Sequence, residues 1–307
     1  MDAFIQVLLA AIEPLTLLLL FSFLFFLFQF FFFFFLLMES ALRHAALSGD
    51  VDEVRSLLSA HPGLDVNSVD RHGWAPLHSA SYDGVTEVAK LLLAHPTIEV
   101  NALTGEDQEA PILLGCFSGC VGVVRLLLED PRVDVTLADR SGCTPLWYAA
   151  CYGHYEVIEW LIASGRDFGD FENKKGKSFL DDQSHSALEI ARKQSKEEAA
   201  SLLQIFKDNQ GQTRHTVRVK LGLLDALAAE VFALTVFLCD ELLQLKPAIN
   251  NDTSNPAAAA TRFFAIASKL PMELQMILCH RAVASMKQNI ISKNSEVAFK
   301  SLARILL

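Results

Sequence analysis

One recurring pattern limits what this chain can fold into. Residues 140–164, RSGCTPLWYAACYGHYEVIEWLIAS, read as a turn, a short helix, a reversal and a second helix. Pro145 suits a first helical position, because the N–H it lacks has no partner there in any case. Thr144 before it is a good N-cap. Ala149 and Ala150 are small enough for another helix to come close, and Gly153 breaks the first helix. Val157, Ile158, Leu161 and Ile162 then make an apolar stripe at helical spacing. A single hairpin of this kind cannot bury its own apolar face, so it requires copies stacked on either side. Copies stand at 40–59, 71–95, 106–130 and 186–203. Their first-helix positions are Ala41, Pro76, Pro111, Pro145 and Ala187, separated by 35, 35, 34 and 42 residues. The expected fold is all-α, a solenoid of about five helix-turn-helix units.

The units resemble the ankyrin repeat, with its period of roughly 33 residues and its T-P-L-H-x-A signature. Ala75-Pro76-Leu77-His78-Ser79-Ala80 and Thr144-Pro145-Leu146-Trp147-Tyr148-Ala149 carry the likeness best, and Val66-Asn67 and Val100-Asn101 match the V-N that precedes each hairpin. The resemblance covers residues 39–207. Departures sit in the third unit, where Leu113 replaces the signature His, Gln108 a hairpin Gly, and Gly115-Cys116 the paired alanines. Trp147 replaces the same His in the fourth. His-Pro and Asp-Pro pairs at 61–62, 95–96 and 130–131 end the second helices with a lengthened loop.

The resemblance implies protein–protein binding on a concave surface made of hairpin tips and the exposed side of each first helix. Carried onto this chain, the tips supply Arg71, His72 and Trp74, then Glu106, Asp107 and Glu109, then Arg140 and Ser141. The helix ends supply Leu47, Tyr82, Phe117 and Tyr152, with Asp83 and Ser118 beside them. Trp74, Tyr82, Phe117 and Tyr152 would form an aromatic row, the residue class in which interface hot spots are rich. Packing between neighbouring repeats is the competing role for these rings. His78 is expected to tie its hairpin turn.

Charge narrows the partner. Residues 39–207 hold 15 basic and 26 acidic residues, net −11, whereas 208–307 hold 11 and 8, net +3. An acidic array repels phosphates, which argues against nucleic acid and points to a basic partner if the charge is used at all. The six cysteines show no C-x-x-C pair. Cys116, Cys120, Cys151 and His154 could be imagined as a zinc set, but small packing residues explain the cysteines as well. No Walker, H-E-x-x-H or G-x-S-x-G motif occurs, so neither an enzyme nor a cofactor is expected.

Outside the repeats, residues 1–38 form a hydrophobic segment. Residues 15–37 lack any charge and are long enough for a transmembrane helix. The flanking charges then place the repeats in the cytosol as a single-pass, membrane-tethered array. The alternative is that the Leu/Phe/Ser tract reflects pyrimidine-only codons and Met38 is the true start, giving a cytoplasmic protein. Residues 168–184 are a charged insert, expected as a flexible loop, with a partner-contacting finger as the alternative. Residues 208–215 are polar and mark a boundary before a small C-terminal helical region at 208–307. In that region, Leu227, Val231, Leu234, Leu238 and Leu242 would form one helix face, and Phe263, Phe264, Ile266 and Ala267 another. A fourth helix is expected over 293–307. Asn251-Asp252-Thr253 fits a glycosylation acceptor. Residues 270–278, LPMELQMIL, resemble the opening of an F-box, which would make the chain a substrate receptor docking on a cullin-ligase adaptor.

Overall fold

The computed structural model describes residues 25–26, 29, 34–178, 182–239, 256–267, 269–283, 294, 297–298 and 300–301. They form two compact units, Met1–Asp208 and Asn209–Leu307.

The first unit is a stack of helical hairpins. Residues 34–48 form α1, followed by α2 (Val51–Ala60). Then come α3 (Pro76–Tyr82) with α4 (Thr86–Leu93), and α5 (Pro111–Ser118) with α6 (Val121–Glu129). The last two pairs are α7 (Pro145–Tyr152) with α8 (Tyr155–Ser164), and α9 (Ala187–Lys193) with α10 (Glu197–Asp208). Inner helices α3, α5, α7 and α9 pack on one another in order, and outer helices α2, α4, α6, α8 and α10 do the same. Pro76, Pro111 and Pro145 open their helices. Thr144 Oγ1 caps α7 by accepting the Trp147 N–H at 3.2 Å. Ser186 and Glu189 cap α9 reciprocally.

The apolar stripes are buried as the periodicity predicts. Val88, Ala89 and Leu92 on α4, Val123, Val124 and Leu127 on α6, and Val157, Ile158, Leu161 and Ile162 on α8 are all inaccessible to solvent. Each large aliphatic side chain buried this way contributes about 1.5–3 kcal/mol. Polar ties cross the repeats beside this core. Asn67 Nδ2 donates to Thr97 O at 2.8 Å, and its Oδ1 accepts Glu99 N–H at 2.9 Å. Asn101 repeats the pattern with Arg132 and Asp134.

The hairpin tips hydrogen-bond from one repeat to the next through backbone: Gly105 N to His72 O, Arg140 N to Asp107 O and Lys177 N to Ser141 O, at 2.9–3.1 Å. The described residues of the insert, 168–178 and 182–184, therefore differ from the flexible loop expected. Lys177 extends the row of tips, and Gly176–Lys177 pairs antiparallel with Ser184–His185. Phe168 and Phe171 anchor its base against the Phe206 ring of α10.

The second unit contains α11 (Gln210–Lys220), α12 (Leu223–Cys239), α13 (Pro256–Ala267) and α14 (Met272–Ala282). Polar residues 210–215 are helical, with Asn209 Oδ1 accepting the Gln212 N–H as the cap of α11. The face expected on α12 is not the buried one. Leu227 is 45% exposed, whereas Leu224, Ala228, Ala229, Phe232, Ala233 and Thr235 are buried. The small alanines allow α14 to pack close to α12. On α13, Ala267 is buried but Ile266 is 61% exposed. Pro271 caps α14, leaving Met272 and Leu274 of the F-box-like run exposed. Most of 15–37, the Asn251 acceptor and most of the fourth helix expected over 293–307 lie outside the described residues. Among the described residues, no helix is long and apolar enough to cross a membrane.

Candidate protein-binding surface

The ends of the inner helices bring the expected aromatic row together. The Trp74 ring lies 5.4 Å from Tyr82, edge-on. Tyr82 stacks on Phe117 at 6.0 Å, and Phe117 meets Tyr152 at 4.8 Å. Spacings of 35 residues between Tyr82, Phe117 and Tyr152 put them at the same position of three stacked hairpins. Tyr82 is 40% exposed, and Trp74, Phe117 and Tyr152 are half-buried. Each ring touches its neighbour, and each keeps part of its surface exposed. Leu47 stands exposed at the corresponding place on α1.

Tyr148 belongs to this row and was not foreseen. Its ring lies 5.5 Å from Phe117 and 6.4 Å from Tyr152, and its hydroxyl donates to Asp139 Oδ2 at 2.8 Å. Its equivalents, Ser79 and Leu114, are not aromatic. An aromatic residue at the variable position of the signature is the clue the sequence held. Burial and then the Asp139 carboxylate hold the Tyr148 phenol far above its ordinary range.

The tips carry the charged residues expected there. Arg71, His72, Glu106, Asp107, Arg140 and Ser141 are exposed, and Glu109 is half-buried. Asp83 is exposed beside Tyr82, and Ser118 is half-buried beside Phe117. Asp70 Oδ1 shapes the first tip by accepting N–H bonds from His72 at 2.8 Å and Trp74 at 2.9 Å. Burial opposes its negative charge, but those two bonds prevail and keep its pKa below the usual value. Asp139 Oδ1 does the same for Ser141 and Cys143. In the third unit Thr104 Oγ1 replaces the carboxylate and accepts Glu109 N–H at 2.9 Å. Between the first two tips lies a half-open cleft of about 630 Å³, walled by Arg71, His72 and Trp74 on one side and Glu106 and Asp107 on the other. Glu109 is pushed towards its neutral form by burial, and then by the charges of Asp107 and Asp139.

His78 ties its turn as expected. It accepts the Ala75 N–H on Nδ1 at 3.0 Å and donates from Nε2 to Ala102 O at 2.9 Å. The residues imagined as a zinc set are otherwise engaged. His154 Nε2 donates to Phe117 O at 2.9 Å, and Cys120 lies against Tyr82 O. Among the described residues, no group of three or more His, Cys, Asp or Glu side chains could hold a metal ion.

Comparison with known proteins agrees with the stacked helical repeats. The family model described as ankyrin repeats, three copies, matches residues 35–104 and 99–172. SMC5-SMC6 complex localization factor protein 1 of Bos taurus is 38% identical over 127 residues, which is 41% of this chain and 9% of that protein. The Homo sapiens protein of the same name is 37% identical over the same shares. Transient receptor potential cation channel subfamily A member 1 of Drosophila melanogaster is 26% identical over 119 residues, 38% of this chain and 10% of the channel. The matched region thus spans about a tenth of each relative's length. Repeat spacing, stacked hairpins and family match together show ankyrin repeats over residues 35–172.

Proposed function

We propose that the chain is a non-enzymatic scaffold that binds a protein partner along the hairpin tips and the aromatic row. The observation that carries this reading is the unbroken ladder of half-exposed rings from Trp74 through Tyr82 and Phe117 to Tyr152. Aromatic side chains fixed against one another lose little freedom on binding and offer a large apolar area, as interface hot spots do. The relatives named above support an interaction role: one is named for localising a complex and another is a channel subunit.

The test is Tyr82→Ala with Phe117→Ala in the full chain. Capture of the wild-type partner, identified by crosslinking and mass spectrometry, should be lost. The melting temperature should fall by less than about 4 °C, the shift expected for roughly 1 kcal/mol in a domain of this size. Retained capture, with melting lowered as far as by Leu161→Ala in the core, would show the rings to be packing residues only.

A second reading draws on the exposed Met272 and Leu274 of α14, which would offer an apolar docking patch to a cullin-ligase adaptor. Replacing both by Ser should then abolish adaptor pull-down and leave binding at the repeats untouched.

A further inference from the structure

Three features converge on the middle of the aromatic row. First, carboxylates and rings are contiguous there: Asp139 holds the Tyr148 hydroxyl at 2.8 Å, and the Tyr148 ring lies 5.5 Å from Phe117. Asp107 is held beside Asp139 by the bond from Arg140 N to Asp107 O at 2.9 Å. Second, these acids make no ion pair among the described residues, although Arg71 and His72 line the cleft opposite Asp107. Some acids of the first unit are paired, as in Asp52–Arg55, Glu129–Arg125, Asp130–Arg132, Glu189–Lys175 and Glu172–Lys207. Among the described residues no ion pair reaches Asp107, Glu109, Asp139 or Asp83. Third, the charges bearing on half-buried Glu109 are the negative ones of Asp107 and Asp139. Like charges held close together cost free energy in the unbound protein, and an incoming cation relieves that cost.

We infer that the partner presents a lysine or arginine on an extended segment, its cation beside Glu109 and Asp107 and its methylene stem over Phe117. This rests on the scaffold reading above and adds the chemistry of the partner. A long cationic side chain fits both halves of the site, because its stem is apolar and its head is charged. The ring faces add a cation–π attraction. An acidic segment would meet the same repulsion the carboxylates already feel. A neutral apolar segment would cover the rings and leave the carboxylates unanswered.

The probe is a set of labelled, extended Gly/Ser peptides identical except for one central residue: lysine, arginine, acetyl-lysine or glutamate. Binding to the full chain is followed by fluorescence anisotropy. Lysine and arginine peptides should bind, more weakly as salt rises, and acetyl-lysine and glutamate peptides should not. Asp107→Asn with Glu109→Gln should weaken the basic peptides by about tenfold. Its melting temperature should not fall, since like charges are removed. Acetyl-lysine binding as well as lysine, unchanged affinity in the double variant, or no binding of any basic peptide would each overturn the inference. The wild-type partner separates the two readings. If its capture is lost in the Tyr82/Phe117 variant but unaffected by Asp107/Glu109 neutralisation, the surface stands and the basic partner falls. If neither variant affects capture, both fall.

Discussion

His78 and Trp147 solve the same problem with different chemistry. His78 holds Ala75 N–H and Ala102 O, and Trp147 reaches the next unit by donating Nε1–H to His185 O at 2.9 Å. Only the histidine titrates. Burial first, against several hydrogen bonds that work the other way, holds its pKa below the usual 6.5. Its contribution to stability is therefore full above pH 6.5 and lost as pH falls through the lower folded value. Urea unfolding of wild type should show this acid-side loss. His78→Leu should be flatter there and, at pH 7, less stable by about 1–3 kcal/mol, because two buried backbone groups lose a partner. Glu109 behaves oppositely. Its raised folded pKa means a contribution present below the ordinary 4.5 and lost as pH rises through the folded value. Glu109→Gln should exceed wild type in stability at neutral pH, with the difference closing below 4.5. The role of His78 was legible because the signature names it. The place of Tyr148 in the row was not, because only folding brings it against Phe117 and Asp139.

At the level of elements, the tips depend on backbone that side chains oppose. Gly73 and Gly142 have φ near +80°, and a Cβ on Gly73 would lie 2.2 Å from Gly105 N. Gly73→Ala should cost about 2–3 kcal/mol from strain and displaced tip contacts together. Gln108 occupies the same position of the third unit with φ 55°. This is the departure visible in the sequence, and the backbone there keeps the glycine conformation regardless. Gln108→Gly should gain roughly 0.5–1 kcal/mol, the relief of left-handed strain less the added chain entropy. Differential scanning calorimetry of both variants checks the pair, and opposite signs are required. The outer helices were legible because their apolar stripes have a helical period. The placement of residues 168–178 was not, since it comes from a backbone bond to Ser141 and rings set on Phe206, neither of which their charged composition announces. The buried face of α12 escaped for another reason: a helix apolar nearly all round gives spacing nothing to choose between.

Across the first unit, stability is a chain of neighbour-to-neighbour contacts, so position along the stack decides how far a change is felt. The N-terminal hairpin is thinly buried. On α2 only Val54 is buried, and the Phe34 ring of α1 meets His61 at 5.7 Å with 36% of its own surface exposed. The fourth hairpin lies at the other extreme, for α8 alone buries Val157, Ile158, Glu159, Leu161, Ile162 and Ala163. Amide hydrogen exchange on the full chain should therefore rank α1 and α2 fastest and α5 to α8 slowest. Val54→Ala should loosen α1 and α2 and leave α7 and α8 unchanged. Leu161→Ala removes a fully buried side chain from the middle of the stack and should lower protection from α5 through α10 by about 2–5 kcal/mol. The binding surface draws on the same middle units, since Phe117, Tyr148 and Tyr152 sit on α5 and α7. A rigid centre with a looser N-terminal end would present those rings already ordered, sparing the partner the entropy of fixing them. Uniform protection from α1 to α10, or a Val54→Ala effect that reaches α8, would show the unit to melt as one block and would remove this account of where its rigidity lies.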